Sequence, residues 1–133
     1  MTMQLSSLLR RTLGVDAATC AAMGVAMTAG GLPIGRITGL PPALLMAAGI
    51  VLLAVAAVMA WLAGRSSAPA PMVWLVLGGN AGWVAASLAL LASGWVQPTL
   101  VGTVFVLAQA LGVVGLTAVE FVGYRRSGGV AVA

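Results

Sequence analysis

Apolar and polar positions in this chain do not alternate; they separate into blocks. Long runs of Leu, Val, Ala and Met are divided by short stretches that hold all six arginines. A helix needs about 20 predominantly apolar residues to cross roughly 30 Å of hydrocarbon. Four runs meet that length, at about 13–32, 41–63, 72–92 and 98–123. The pattern predicts an all-α, four-transmembrane-helix bundle, with residues 1–133 forming one membrane domain. Prolines open two of the spans, at Pro41 and Pro98, where their missing amides are no loss. The SSAPAP stretch before the third span reads as a linker. The first run is the least apolar, because it holds Asp16 near its start. A cleavable leader is its rival reading, with MTMQLSSLLRR as the basic region and Ala26-Met27-Thr28 as the cleavage site. The run is longer than a leader core and begins with an aspartate, so an uncleaved helix is expected.

Composition agrees with lipid as the solvent. The chain is 62% hydrophobic and 6% charged, against about 25% charged in soluble domains. Its net charge of +4 comes from six arginines against two acids. They lie between apolar runs and make no basic stripe, which argues against nucleic acid. Their order carries topology instead. With four spans, Arg10, Arg11, Arg65, Arg125 and Arg126 fall on one side and Arg36 alone on the other. Positive residues stay in the cytoplasm, so both termini are expected inside a bacterial cytoplasmic (inner) membrane. Trp61, Trp74 and Tyr124 would line the inner interface and Trp95 the outer one.

The two halves resemble each other. Shifted by 64 positions, DAATCAAMGVAMTAGG (from Asp16) lies over NAGWVAASLALLASGW (from Asn80). Shifted by 60, AWLAGR lies over EFVGYR, which closes on Arg125. Two tandem helical hairpins in parallel orientation would produce this, related by an axis along the membrane normal. Alanine-rich composition alone is the alternative.

Polar groups inside spans cost about 2.5–3.5 kcal/mol when charged and central, so the few present are the candidates for chemistry. They are Asp16, Asn80, Gln109 and Glu120, with Ser87 and Thr103 as minor members. Asp16 and Glu120 approach the cytoplasmic side and Asn80 enters from it about 12 Å deep at ~1.5 Å per residue, so these three are expected to gather in the inner part of the bundle. On the fourth span, Gln109 and Glu120 share a stripe with Gly102, since steps of 7 and 11 residues return within about 20° of one direction. On the third, Asn80, Trp83 and Ser87 form one face. Small residues let membrane helices approach, and Gly78, Gly82, Gly112 and Gly115 are expected to serve that purpose between spans three and four. The polar faces of those spans are expected to meet.

Such groups can serve in two ways. In one, they clamp helices by hydrogen bonds, with Asn80 bonded to a carbonyl or to Gln109, and Asp16 and Glu120 paired with Arg10 or Arg125 or reaching interfacial water. In the other, they line an inward-facing cavity that binds a cation, an amine or a proton, as in a small proton-coupled transporter or channel. No histidine is present, and the single Cys20 permits neither a disulfide within the chain nor a redox pair. No cofactor or metal is expected. No GxSxG, Walker or HExxH motif occurs, so an enzyme is not expected.

The pattern N-x-x-W-x-x-x-S (Asn80, Trp83, Ser87), then P-T-x-x-G (Pro98, Thr99, Gly102), Gln109-Ala110 and Arg125-Arg126 resembles a family of small bacterial four-helix integral membrane proteins. Asp16 and Gly39-Leu40-Pro41 extend the likeness loosely into the first half. The resemblance implies topology and no activity. The small multidrug transporters share size and span count but carry their acid in the middle of the first span, whereas Asp16 is expected at its start. The signature of the fluoride channels is absent. The expected role is therefore structural or partner-binding within the bilayer. The partner would be lipid, a second copy or another membrane protein, including a larger complex of which the chain is an accessory subunit.

Overall fold

The computed structural model describes residues 2–127 and the backbone of 130–131. Four long helices dominate it: α1 (Ser7–Ala29), α3 (Pro42–Ala63), α4 (Ala70–Ser93) and α5 (Leu100–Arg126), with a short α2 (Gly31–Thr38) between the first two. All four long helices are long and apolar enough to cross a membrane.

Helix α1 begins six residues before the predicted span. Ser6 caps it, its hydroxyl accepting from the Leu9 amide at 3.1 Å and donating to the Gly123 carbonyl at 2.7 Å. The cap thus also ties α1 to the end of α5. The start at Ser7 places Asp16 about 13 Å along α1 at ~1.5 Å per residue, well inside the helix rather than at its beginning. The helix breaks at Gly30, because Pro33 has no amide to offer Ala29 and cannot continue the ladder.

The segment after the break is helical and not the loop that Arg36 was expected to occupy. Gly31, Gly35 and Thr38 face inward on α2, while Leu32, Ile37 and Arg36 are exposed. That division suits a helix lying in a membrane interface. Gly39 ends it at φ +74°, a conformation that glycine alone adopts freely. Thr99 then binds this corner to α5: its amide donates to the Thr38 carbonyl at 2.8 Å and its hydroxyl to the Ile37 carbonyl at 2.7 Å.

At the opposite end the supposed linker pairs. β1 (Thr2–Gln4) lies between β2 (Ser67–Pro69) and β3 (Val130–Ala131) in a small antiparallel sheet. The sheet gathers the N-terminal segment, the α3–α4 connection and the C-terminal segment at one end of the bundle, here called the terminal end. Arg10 reinforces it by donating from Nε to the Ala63 carbonyl at 3.2 Å, which satisfies an orphan acceptor at the end of α3.

The tightest packing is between α1 and α3. Gly24 and Gly49 stand back to back there. A Cβ on Gly49 would lie 2.8 Å from the Gly24 carbonyl oxygen and 2.5 Å from Thr28 Oγ1. With no hydrophobic force between helices in lipid, such close backbone approach supplies the van der Waals contact that holds them. Gly102 packs under Thr38 and Gly123 against Leu9, so both ends of α5 are pinned the same way. Of the fully buried large apolar side chains, Leu9, Leu13, Met59, Leu62 and Val73 lie toward the terminal end and Leu45 lies at the α2 end.

The hairpins α1–α3 and α4–α5 match the proposed duplication, but the two seams between them differ. Helices α1 and α5 pack against each other, whereas α3 and α4 barely touch. A strict two-fold arrangement would make those seams equal. One is closed and the other is open.

Candidate functional site

The closed side carries a polar node. Asn80 Nδ2 donates to Asp16 Oδ2 at 3.1 Å and to Glu120 Oε2 at 3.1 Å. Three helices contribute, α1, α4 and α5, and the three side chains are 1%, 6% and 0% exposed for Asp16, Asn80 and Glu120. Cys20, one turn beyond Asp16 on α1, donates its thiol to Asp16 Oδ1 at 3.5 Å. Residues placed in register by the 64-position shift, Asp16 and Asn80, therefore bond to each other. Among the described residues no arginine bonds either carboxyl. Arg10 is turned to Ala63, which corrects the expected pairing with Arg10 or Arg125. One polar atom of the node, Glu120 Oε1, is buried without a hydrogen-bond partner.

Gln109 is not part of this node. It lies about 16 Å farther along α5 at ~1.5 Å per residue. There it forms a second rung, accepting from Trp83 Nε1 at 2.8 Å and donating to Ser87 Oγ at 3.0 Å and to the Val106 carbonyl at 2.9 Å. The polar faces of α4 and α5 do meet, in two separate rungs. Asp16, Asn80 and Glu120 gather as expected, but Asn80 bonds the two acids rather than a carbonyl or Gln109, and the four candidates do not line one cavity. The reason is axial: in antiparallel helices, Asn80 falls level with Glu120, and Gln109 falls level with Trp83 and Ser87.

Gly78, Gly82, Gly112 and Gly115 do not bring α4 and α5 together. Nothing lies within 4 Å of where a Cβ would stand on any of them. They face outward, and the close approaches are at Gly24, Gly49, Gly102 and Gly123 instead. Periodicity places a glycine on a face; it does not say which face is packed.

The open seam forms a cleft of about 280 Å³. Met23 and Met27 of α1 form its back wall. Leu44, Ala48 and Leu52 of α3 and Trp83, Ala86 and Leu90 of α4 form its sides. Its surface is almost wholly apolar, and the Gln109–Ser87–Trp83 rung supplies the polar lining. The cleft lies toward the α2 end of the bundle, away from the node, and its rim runs into the exposed apolar surface at Leu44 and Leu88. No residue pattern in the sequence pointed to it, because it arises from two helices failing to close.

At the terminal end the arginines and aromatics cluster as a membrane boundary would have them. Arg65 sits over the Trp61 ring at 4.7 Å, and Trp74 Nε1 donates to the Tyr124 hydroxyl at 3.0 Å. At the other end Trp95 is 88% exposed.

Four apolar spans, exposed leucines and valines along them, and arginines confined to the helix ends and the α2 segment define a multi-pass α-helical membrane protein. No family model matches the chain, no curated protein matches it significantly, and no solved structure does so either.

Proposed function

We propose that this is a bacterial inner-membrane protein, with both termini cytoplasmic, that works by binding an apolar partner within the bilayer. The observation that carries this reading is the lateral cleft between α3 and α4. Binding pockets are concave and mostly apolar, with few placed polar groups, and this cleft has that character. Its walls carry no acid, and the one hydroxyl among them, Ser87, accepts from Gln109 and donates to the Trp83 carbonyl, which favours binding over catalysis there. A hydrocarbon chain, a small apolar molecule or a helix of a larger complex would each reach it from the membrane without crossing water.

Filling the cleft tests the reading. Wild-type protein in mild detergent or nanodiscs is expected to retain a bound lipid, small molecule or stoichiometric polypeptide by native mass spectrometry. Ala86→Trp, which puts an indole into the cleft, is expected to lose it while remaining folded. Equal complements of bound species in the two proteins would sink the proposal, and the mass of the retained species separates the lipid from the accessory-subunit reading.

The orientation rests on the arginines. Five of the six lie at the terminal end, and Arg36 alone lies at the other. Positive residues are retained in the cytoplasm. A reporter that is active only in the cytoplasm is expected to work when fused after Arg126 and to fail when inserted beside Arg36. The reverse pattern would overturn the assignment.

A further inference from the structure

We infer that Asp16, Asn80 and Glu120 form a buried proton-binding site, in which the two carboxyl groups together hold one proton. The node lies one turn of α4 from the cleft, at Asn80 against Trp83, and its supply of hydrogen-bond donors is one short. An amide nitrogen has two hydrogens, and both of Asn80's are committed, one to each carboxyl. The Cys20 thiol supplies one more donor, to Asp16. That leaves Glu120 Oε1 buried with nothing to bond. One atom, Asn80 Nδ2, lies 3.1 Å from an oxygen of each acid, so the two carboxyl groups are close neighbours. Two ionised carboxylates are acceptors only and cannot bond each other. A single added proton makes one of them a donor to the other.

Electrostatics points the same way. Like charges sharing a site disfavour double ionisation, and a desolvated charge without a partner is expensive. The surrounding elements offer no compensation. Helix α3 and helix α4 carry no titratable side chain. On α1 the titratable group facing the node, beyond Asp16, is Cys20. On α5 it is Glu120 alone, since Tyr124 is engaged with Trp74. Arg11, Arg125 and Arg126 are exposed at the terminal end, and Arg10 is bonded to Ala63. Uptake of one proton changes the pair from two negative charges to one and breaks no other bond. The proton belongs to the pair rather than to either residue.

The composition makes the test direct. Asp16 is the only aspartate and Glu120 the only glutamate in the chain. Protein labelled with ¹³C at the side-chain carboxyls of both residue types therefore gives one aspartate and one glutamate resonance. In wild type in nanodiscs near neutral pH, the two resonances together are expected to account for one bound proton. In Glu120→Gln the aspartate resonance is expected to move to the fully ionised position, and in Asp16→Asn the glutamate resonance likewise. Two fully ionised carboxyls in wild type would overturn the proposal. So would a sodium-dependent shift of both resonances at constant pH, because a metal cation would then occupy the site. If either variant fails to fold, the wild-type spectrum alone still decides.

Discussion

Replacing Asn80 by leucine is expected to destabilise the folded bundle by about 2–3 kcal/mol, more than an ordinary interhelical hydrogen bond in a bilayer, which contributes about 0.6–2 kcal/mol. The excess arises because one substitution removes both donors. Asp16 and Glu120 remain buried and lose their shared partner, and stranding a buried acceptor costs more than a bond contributes. The effect should reverse when the acids are removed as well. A buried ionic group replaced throughout by apolar residues of similar volume is often neutral or stabilising, so the triple variant Asp16→Leu, Asn80→Leu, Glu120→Leu is expected to recover most of the loss. Thermal unfolding in mild detergent, followed by circular dichroism, measures both. A stable Asn80→Leu protein would show that the node is not a clamp. A triple variant no better than the single would show that leucine at residue 80, rather than the stranded carboxyls, caused the damage.

The second large effect is expected at Gly49. Valine there must displace the Gly24 carbonyl and the Thr28 side chain. Overpacking typically costs about 1–3 kcal/mol, and this site belongs at the upper end or beyond it, since the obstacle includes backbone. Alanine at Gly49 should already be costly. Alanine at Gly78, Gly82, Gly112 or Gly115 should be neutral or stabilising by up to roughly 1 kcal/mol from helix propensity, because each position is open. The comparison is read from unfolding midpoints of the single variants. If the outward glycines proved as sensitive as Gly49, their face would be covered in the membrane by another protein surface, such as a second copy.

The two effects divide the molecule. Close glycine packing holds α1 to α3, and a polar node joins α1 to α4 and α5. The α3–α4 seam has neither device, and it is the seam that stays open. In a bilayer this is the expected consequence, since apolar side chains gain nothing by leaving lipid for one another. The cleft therefore results from what is absent between α3 and α4, and its lining is the same leucine, methionine and alanine that would otherwise face lipid.

How much of this the amino-acid sequence determined by itself depends on the physical constraint at each level. The number of spans was legible because hydrocarbon demands about 20 apolar residues per crossing, and four stretches of this chain comply. The meeting of the α4 and α5 polar faces was legible too, because Asn80, Trp83 and Ser87 repeat at helical spacing, as do Gln109 and Glu120. The gathering of Asp16, Asn80 and Glu120 was legible from their depth along the spans, and Asp16 and Asn80 also share a repeat position. Exact axial register and helix rotation were not legible. They decide that Asn80 meets two acids and not Gln109, that Gly49 is packed while Gly82 is open, and that α3 and α4 part. Periodicity places residues on a face of their own helix, but which faces are buried depends on how all the helices pack together, and that is settled only in the folded molecule.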